Sequence, residues 1–427
     1  MNTLIMRRFI NSGLQVILIA AFGCAPPPTP VEIRLPTAAP TTPPTETPVP
    51  SPTPTPFVPR GVIKIASQSP LSGNQEIFGE DIRRGAALAV LQLSGSLEKQ
   101  GYQVRLVAYD DRNTVEAALV NARALVADPE ILCAVGHYGS RITVEASEIY
   151  HQAGLALIAP SATASALTNQ GYLEINRIIG RNDGQGMAGA QFAKTQGFTS
   201  AFIISEKNAD DLKTAEYFRL QADRLGIQVL GMAADVTTES LAAVVSGMMK
   251  AGPELVYFAG KADQAIAFFK EARAAGYTGA FLGTDELNNP TIMDIAGPSL
   301  VEGGMYYTIM SAPANFYPAA ARFVQDFGAQ YGDTPLLFAA RAYDAAGICI
   351  KAIEEASRAK GGELPTRAEV ANAIRALKNY IGITGTYTFN DQGDPTLVEY
   401  YVYKVVAVEA ANWDQNFIVA SYDVALP

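Results

Sequence analysis

The chain has 427 residues, 48% of them hydrophobic and 17% charged, with a formal net charge of −10. That length suits two domains, and the acidic balance argues against nucleic acid or anionic lipid headgroups as partners. With 2 His and 3 Cys in the whole chain, a His-based metal site or proton relay has little to build on, so no cofactor or metal is expected.

The N-terminus carries Arg7 and Arg8, then the apolar run Val16–Phe22, then Gly23 and Cys24. A charged start, a short apolar core and a small residue before a cut site make an export signal over residues 1–23. The run falls short of the roughly 20 residues that span a bilayer. Cys24 is the candidate lipidation site, becoming the acylated first residue as in a bacterial lipoprotein. Ala21 and Phe22 depart from the usual lipobox, and an uncleaved signal anchor with an ordinary Cys is the alternative. Residues 24–60 form a Pro/Thr-rich linker, which favours extended polyproline-like structure at about 3 Å per residue. Either reading places the body outside the cytoplasm, tethered to the cell membrane.

From Gly61 onward, short apolar runs recur at Val62–Ala66, Val104–Ala108, Ile131–Val135, Leu155–Ala159, Ala201–Ile204, Leu255–Ala259 and Ala280–Leu282. Runs apolar on both faces suit central strands of a parallel sheet. Helical patterns lie between them. Gly79–Leu93 puts Ile82, Ala86, Ala89 and Leu93 on one stripe, with Gly95 as a stop. Asn113–Ala127 opens with Asn113 and Glu116 at capping-box spacing. Arg141–Gln152, Gly184–Lys194, Asp210–Leu225, Glu239–Lys250 and Ala262–Ala275 continue the alternation. This order predicts right-handed βαβ units in an α/β fold of doubly wound, mostly parallel sheets with helices on both faces. Later, Met305–Met310 reads as a strand. Tyr317–Tyr331, Leu336–Arg358 and Thr366–Leu377 read as helices, and Tyr387–Asn390 and Val398–Val405 as strands. Strands after a helical block imply that the chain revisits an earlier domain. The expected lobes are residues 61–180 with 308–398, and 181–307 with 399–427. Cys133 and Cys349 both sit in apolar surroundings and read as buried inert thiols; a bridge between them is open but not indicated.

Open α/β sheets bind ligands beyond the carboxyl ends of their strands, where this chain places polar loops. Ser140 precedes a helical pattern, so its hydroxyl is either an N-cap or a donor to a ligand carboxylate beside free N–H groups. Thr163 offers a second hydroxyl from a neighbouring loop. Asp285 is either a turn residue or the partner of a ligand ammonium. Phe78 either covers an apolar part of a ligand or packs before the first helix.

At these loops the chain resembles the branched-chain amino acid (Leu/Ile/Val) binding proteins of ABC transporters, of periplasmic binding protein type I. The markers are Ser69-Pro70-Leu71-Ser72-Gly73 with Phe78-Gly79, Tyr109-Asp110-Asp111, Gly136-His137 with Ser140, and Ile158–Thr163 with Leu167-Thr168 and Gly171-Tyr172. Val256-Tyr257-Phe258 with Gly260, Gly283-Thr284-Asp285, and Tyr387-Thr388-Phe389 with Gly393-Asp394 follow. Their order and spacing carry the resemblance over Val62–Tyr403. It implies a two-lobed Venus flytrap that captures an amino acid or related small zwitterion or carboxylate and delivers it to a permease with ATPase subunits. The implied protein is a monomer and not an enzyme. The resemblance further implies that Ser140 and Thr163 hold the α-carboxylate. Asp285, with a carbonyl of the Ser161-Ala162-Thr163 loop, holds the α-ammonium, and Phe78 covers the ligand. Two tyrosines of the second-lobe wall are replaced near Asp210 and Lys261, which hints at a polar or charged ligand end. A disulfide of some family members is missing, with Asn113 and Gly139 at the matching positions. An extracellular sensor of the same fold is one alternative function. A surface-anchored hydrolase is another, though Ser140 lacks a G-x-S-x-G elbow and no Ser/His/Asp set accompanies it.

Overall fold

The computed structural model describes residues 60–425. The export signal, Cys24 and all of the proline-rich tract but Arg60 lie outside them.

The alternating pattern folds into two α/β layers. Following the chain, β1 (Gly61–Ser69), α1 (Glu76–Leu93), α2 (Gly95–Lys99), β2 (Tyr102–Asp110), α3 (Val115–Ala127), β3 (Ile131–Gly136), α4 (Ser140–Gln152), β4 (Ala156–Ala159), α5 (Ala166–Asn169) and β5 (Ile175–Arg177) build the first sheet and part of its cover. The second begins with α6 (Gly184–Thr195), β6 (Ser200–Ser205), α7 (Ala209–Leu225), β7 (Gln228–Ala234), α8 (Leu241–Ala251), β8 (Leu255–Ala259), α9 (Ala262–Ala274), β9 (Ala280–Gly283), α10 (Thr291–Ala296) and β10 (Met305–Ile309). The chain then returns to the first layer as α11 (Ala321–Tyr331), α12 (Ala339–Ala359) and α13 (Arg367–Ala376), followed by the short pair β11 (Tyr380–Ile381) and β12 (Thr386–Tyr387). It ends on the second sheet with β13 (Val398–Lys404) and β14 (Phe417–Val424).

The first sheet is five-stranded and parallel in the order β2-β1-β3-β4-β5. The second is seven-stranded, β14-β13-β10-β9-β8-β6-β7, parallel from β7 to β10 with β13 and β14 added antiparallel. Both parallel blocks follow one path, with the opening strand set between the second and the third. Each therefore has its topological switch point beside its opening strand, where a ligand crevice forms. Every residue of β3 and of β8 is buried, which explains their unbroken apolar runs. One core lies between the first sheet and α1, α12 and α13, and another on the sheet's opposite face with α3 and α4. The second sheet is likewise covered on both faces.

Several sequence expectations shift in detail. Asn113 does not cap α3. Asp111 accepts the Asn113 N–H at 2.9 Å, Arg112 and Asn113 both adopt positive φ, and the cap passes to Thr114, whose hydroxyl accepts from Ala117 N. Gly95 does not end the helical stretch but opens the five-residue α2. β5, β7 and β14 were not expected. β7 and β14 are edge strands with half-exposed faces; each carries a short apolar run, Val229–Ala234 and Phe417–Ala420, but its alternate side chains face outward.

Cys133 and Cys349 are not free thiols: they form a disulfide joining β3 to α12, with Cα atoms 5.9 Å apart. Their separation of 216 residues hid the pairing, but β3 turns alternate side chains toward α12 and brings both into one core.

Three crossings link the layers: after β5, after β10 and before β13. Arg341 on α12 donates to Ile178 O at 2.7 Å and Met310 O at 2.8 Å, tying the first crossing to the second. Asp394 at the third crossing pairs with Arg177 Nε at 2.7 Å and Arg181 Nη1 at 3.2 Å, and accepts from Thr168 Oγ1 at 2.9 Å.

Peptide mapping without reductant will recover the Cys133–Cys349 linkage. A Cys133→Ala/Cys349→Ala variant will unfold in urea with a free energy lower by about 2–4 kcal/mol, because closing so long a loop restricts the unfolded chain. Recovery of two alkylatable thiols from the unreduced, unfolded protein contradicts this assignment.

Candidate functional site

The loops that leave the carboxyl ends of β1, β3, β4, β6 and β9 converge between the two sheets. Two adjoining cavities lie there, of about 410 Å³ and about 510 Å³, and both are lined by Thr163 and Asp285.

The β3–α4 loop shapes the first wall. Gly139, not Ser140, occupies the cap of α4 and offers no side chain. Thr143 instead ties the first turn by donating its hydroxyl to Gly139 O at 2.7 Å. Ser140 is thereby released from capping, and its Oγ accepts the N–H groups of Thr163 at 3.0 Å and Ala164 at 3.2 Å. With two N–H groups received, the Ser140 hydroxyl keeps its own proton to donate. The first N–H groups of α4 have no intrahelical acceptor, which makes this helix end a ready anion site. Thr163 adds its hydroxyl, while its carbonyl accepts from Asn182 N at 2.9 Å.

Ser161 also lines the smaller cavity, but its hydroxyl turns inward and donates to His137 O and Tyr138 O, each at 3.0 Å. It fixes the loop rather than reaching the cavity. Ala162 is wholly buried, and its carbonyl accepts from Arg177 at 2.9 Å, so it lies beneath the wall. His137 is also wholly buried, 2.8 Å from Asp111 and 3.1 Å from Tyr150. It props the loop from below.

The second layer supplies Asp285 at the end of β9. Gln185 holds it from both sides: its Nε2 donates to Asp285 Oδ1 at 2.7 Å, and its Oε1 accepts Asp285 N–H at 3.0 Å. Thr308 fixes Gln185 in turn, donating to the same Oε1 at 2.7 Å. Asp285 is thus aimed, with no cation on it. Burial raises its pKa above the ordinary carboxylate value, and the neighbouring Asp211 charge adds to the rise. Asp211 and Glu286 are raised for the same reasons, burial first and then surrounding carboxylates.

Phe78 lies inside α1 rather than ahead of it. It stacks on Tyr138 at 5.3 Å and meets the edge of Phe338 at 6.1 Å. These three rings, with Ile179, Ile309, Met310 and Leu337, form the apolar cavity. Asp210 lines the polar cavity and accepts the Ser165 hydroxyl from the facing layer. Lys261 does not reach either cavity. Its chain is largely exposed beside α9, 4.0 Å from Glu206.

Sequence reasoning missed Tyr138, Gln185, Asp211 and Phe338 as lining residues. Tyr138 stood two positions before Ser140 in a loop already singled out. Gln185 and Phe338 carry no local signal, since only the crossings bring them here.

Ionised Asp285 costs stability, because the folded state holds its proton more tightly than the unfolded chain does. That cost is absent where both states are protonated and grows as pH rises through the folded pKa. Asp285→Asn, which keeps the bond from Gln185, will therefore melt at a higher temperature than the parent at pH 7 without ligand. The gain will fade below about pH 4; an equal or lower melting temperature at pH 7 contradicts the argument.

The arrangement has relatives. A family model described as "Periplasmic binding protein" matches residues 62–411. A leucine-, isoleucine-, valine-, threonine- and alanine-binding protein of Pseudomonas aeruginosa is 30% identical over 344 residues, covering 80% of this chain and 89% of that protein. A Leu/Ile/Val-binding protein homolog of Brucella suis is 26% identical, with 78% and 88% covered. Among solved structures, a leucine-binding protein of Thermotoga maritima superposes with a TM-score of 0.63 at 24% identity, covering 84% of this chain and 98% of that one. The superposition shows a shared fold, and with the family model matched over residues 62–411 the chain belongs to the periplasmic binding protein family.

Proposed function

We propose that this chain is the extracytoplasmic solute-binding component of an ABC importer, and that it captures an amino acid or a related small zwitterion between its lobes. One observation carries the reading: the anion-seeking end of α4, with the free Ser140 proton and the Thr163 hydroxyl, faces a carboxylate, Asp285, that is held in place without a cation. Both line one cavity, where they offer an anion site and a carboxylate for the two ends of a zwitterion. The names of the relatives support an amino acid as the solute class.

The mechanism needs no covalent step, and the chain acts as a binder rather than an enzyme. Ligand docks through its carboxylate on the first lobe. Asp285 from the second lobe then meets the ammonium, and the contacts made only when the lobes close shift the population toward the closed state. A membrane permease with cytoplasmic ATPases reads that state. Cys24, acylated after cleavage of the signal, anchors the protein on its proline-rich leash.

Calorimetry of the purified protein will find one bound ligand within a panel of amino acids. Asp285→Ala will weaken it by about 1.5–3 kcal/mol, or roughly 10- to 150-fold in Kd. Unchanged affinity in that variant overturns the assignment. Mass spectrometry of the mature protein will find Cys24 as a lipid-bearing first residue; an unmodified, uncleaved N-terminus removes the anchor from the scheme.

A further inference from the structure

The polar half of the cleft carries more negative charge than a neutral amino acid would satisfy. Glu145, Asp210, Asp211, Asp285 and Glu286 line it, against a single guanidinium, Arg141. Among the described residues none of these five carboxylates lies within ion-pair distance of a Lys or Arg. Of the nearby cations, Lys207 pairs with Asp235 at 2.7 Å and Lys213 lies over the Tyr217 ring, while Lys261, 4.0 Å from Glu206 and outside the cavity lining, offsets part of the charge of Asp211 and Glu286.

A second observation points to an absent donor. Tyr257 on β8 is wholly buried and stacked on Phe218 at 4.0 Å, and its hydroxyl finds no hydrogen-bond partner among the described residues. Tyr257 is not part of the cavity lining, but its partnerless hydroxyl lies near enough to Asp211 and Asp285 to feel their charge, so unpaired polarity extends beneath the acidic wall. A buried polar group left unpaired is costly unless something completes it. A metal ion does not suit the role, because no group of three or more His, Cys, Asp or Glu side chains among the described residues is placed to hold one. The carboxylates are spread along a wall, which fits charges separated along an organic chain.

We propose, building on the reading of this cleft as an amino-acid site, that its ligand bears a second cationic group and is a diamino acid. The carboxylate lies at the α4 end near Arg141, and Asp285 takes the α-ammonium. The side-chain ammonium lies along the wall formed by Asp210, Asp211 and Glu286. The volume of about 510 Å³ leaves room for such a side chain.

L-lysine and L-norleucine separate the two ideas, since they share a carbon skeleton and differ in the terminal ammonium. Titrated calorimetrically into the full chain at low ionic strength, lysine will bind at least tenfold tighter than norleucine, and ornithine at least tenfold tighter than norvaline. Asp211→Asn, and separately Glu286→Gln, will each cut that preference several-fold, with an unchanged circular dichroism spectrum showing that the variants fold. The half-exposed Glu286 position keeps the test valid should Asp211→Asn fail to fold. Norleucine binding as tightly as lysine overturns the diamino-acid proposal and leaves the amino-acid site standing. No binding by lysine, norleucine, or the remaining standard amino acids overturns both. Thermal stabilisation by calcium or magnesium chloride alone, in place of lysine, also overturns the proposal.

Discussion

Everything in this molecule hangs on the buried ionic cluster at the crossings. Asp394 forms an ion pair with Arg177 and accepts from Arg181 and Thr168, and Arg181 also grips Asp183 at 2.7 Å. Arg177, Asp394 and Asp183 are essentially without solvent contact. Removing such charges from water costs several kcal/mol per ion, and their attraction recovers that only with good geometry and further hydrogen bonds. The cluster is therefore weak as a source of stability and strong as a source of position: a misplaced partner leaves a bare buried charge. Because it joins residues before α6 to a residue before β13, it fixes where the chain leaves the first lobe and where it returns to the second. Arg341 does the same for the middle crossing through two carbonyls.

That positioning makes the cleft possible. Ser140, Thr163 and Phe78 belong to the first layer, Asp285 and Asp211 to the second, and no local rule of sequence brings them together. Gln185 is the intermediary. It lies just past the first crossing, at the start of α6, and clasps Asp285 by both its backbone and its carboxylate. A carboxylate so held cannot swing to solvent, and burial raises its pKa. The protein thus carries an electrostatic cost at Asp285, which the ammonium of the proposed ligand would remove. Stability is lower where binding needs it to be, and ligand affinity draws on the difference.

The parallel α/β character and most strand positions were legible in the sequence because central strands are buried on both faces and show as continuous apolar runs. β7 and β14 escaped notice although each contains a short apolar run: edge strands bury one face at most, and a short run by itself does not tell a strand from a helix face. Ser140 was legible as a residue at the cleft, and of its two readings the capping one fails: Gly139 takes the cap, which cannot be read from a Gly-Ser pair. Lys261 stood next to the right loop but is not among the lining residues of either cavity, its side chain largely in solvent as a long lysine at a helix start prefers. Ala162 sat between two lining residues, yet alternation in the loop sends it inward. The Cys133–Cys349 bridge was invisible for a different reason. Its two ends belong to elements 216 residues apart, and only the return of α12 to the first layer joins them.

The two layers are unequal in how tightly they are bound. The first has the disulfide from β3 to α12, and its α1 crosses α12 so closely that a Cβ on Gly85 would fall 2.0 Å from Ala339 O. Its recognition groups hang on these fixed parts: Phe78 sits on α1, and Ser140 follows β3 by four residues. The second layer packs α6 on α7 about as closely, since a Cβ on Gly186 would fall 2.1 Å from Thr214 O, but among the described residues it has no disulfide; it presents its carboxylates from the first turn of α7 and the end of β9. A ligand that docks first on the stiffer wall loses little to reorganisation of that wall, so its binding energy goes into drawing the acidic wall onto it. On the proposed function, capture runs carboxylate first and ammonium second, because the disulfide-linked wall loses less on docking.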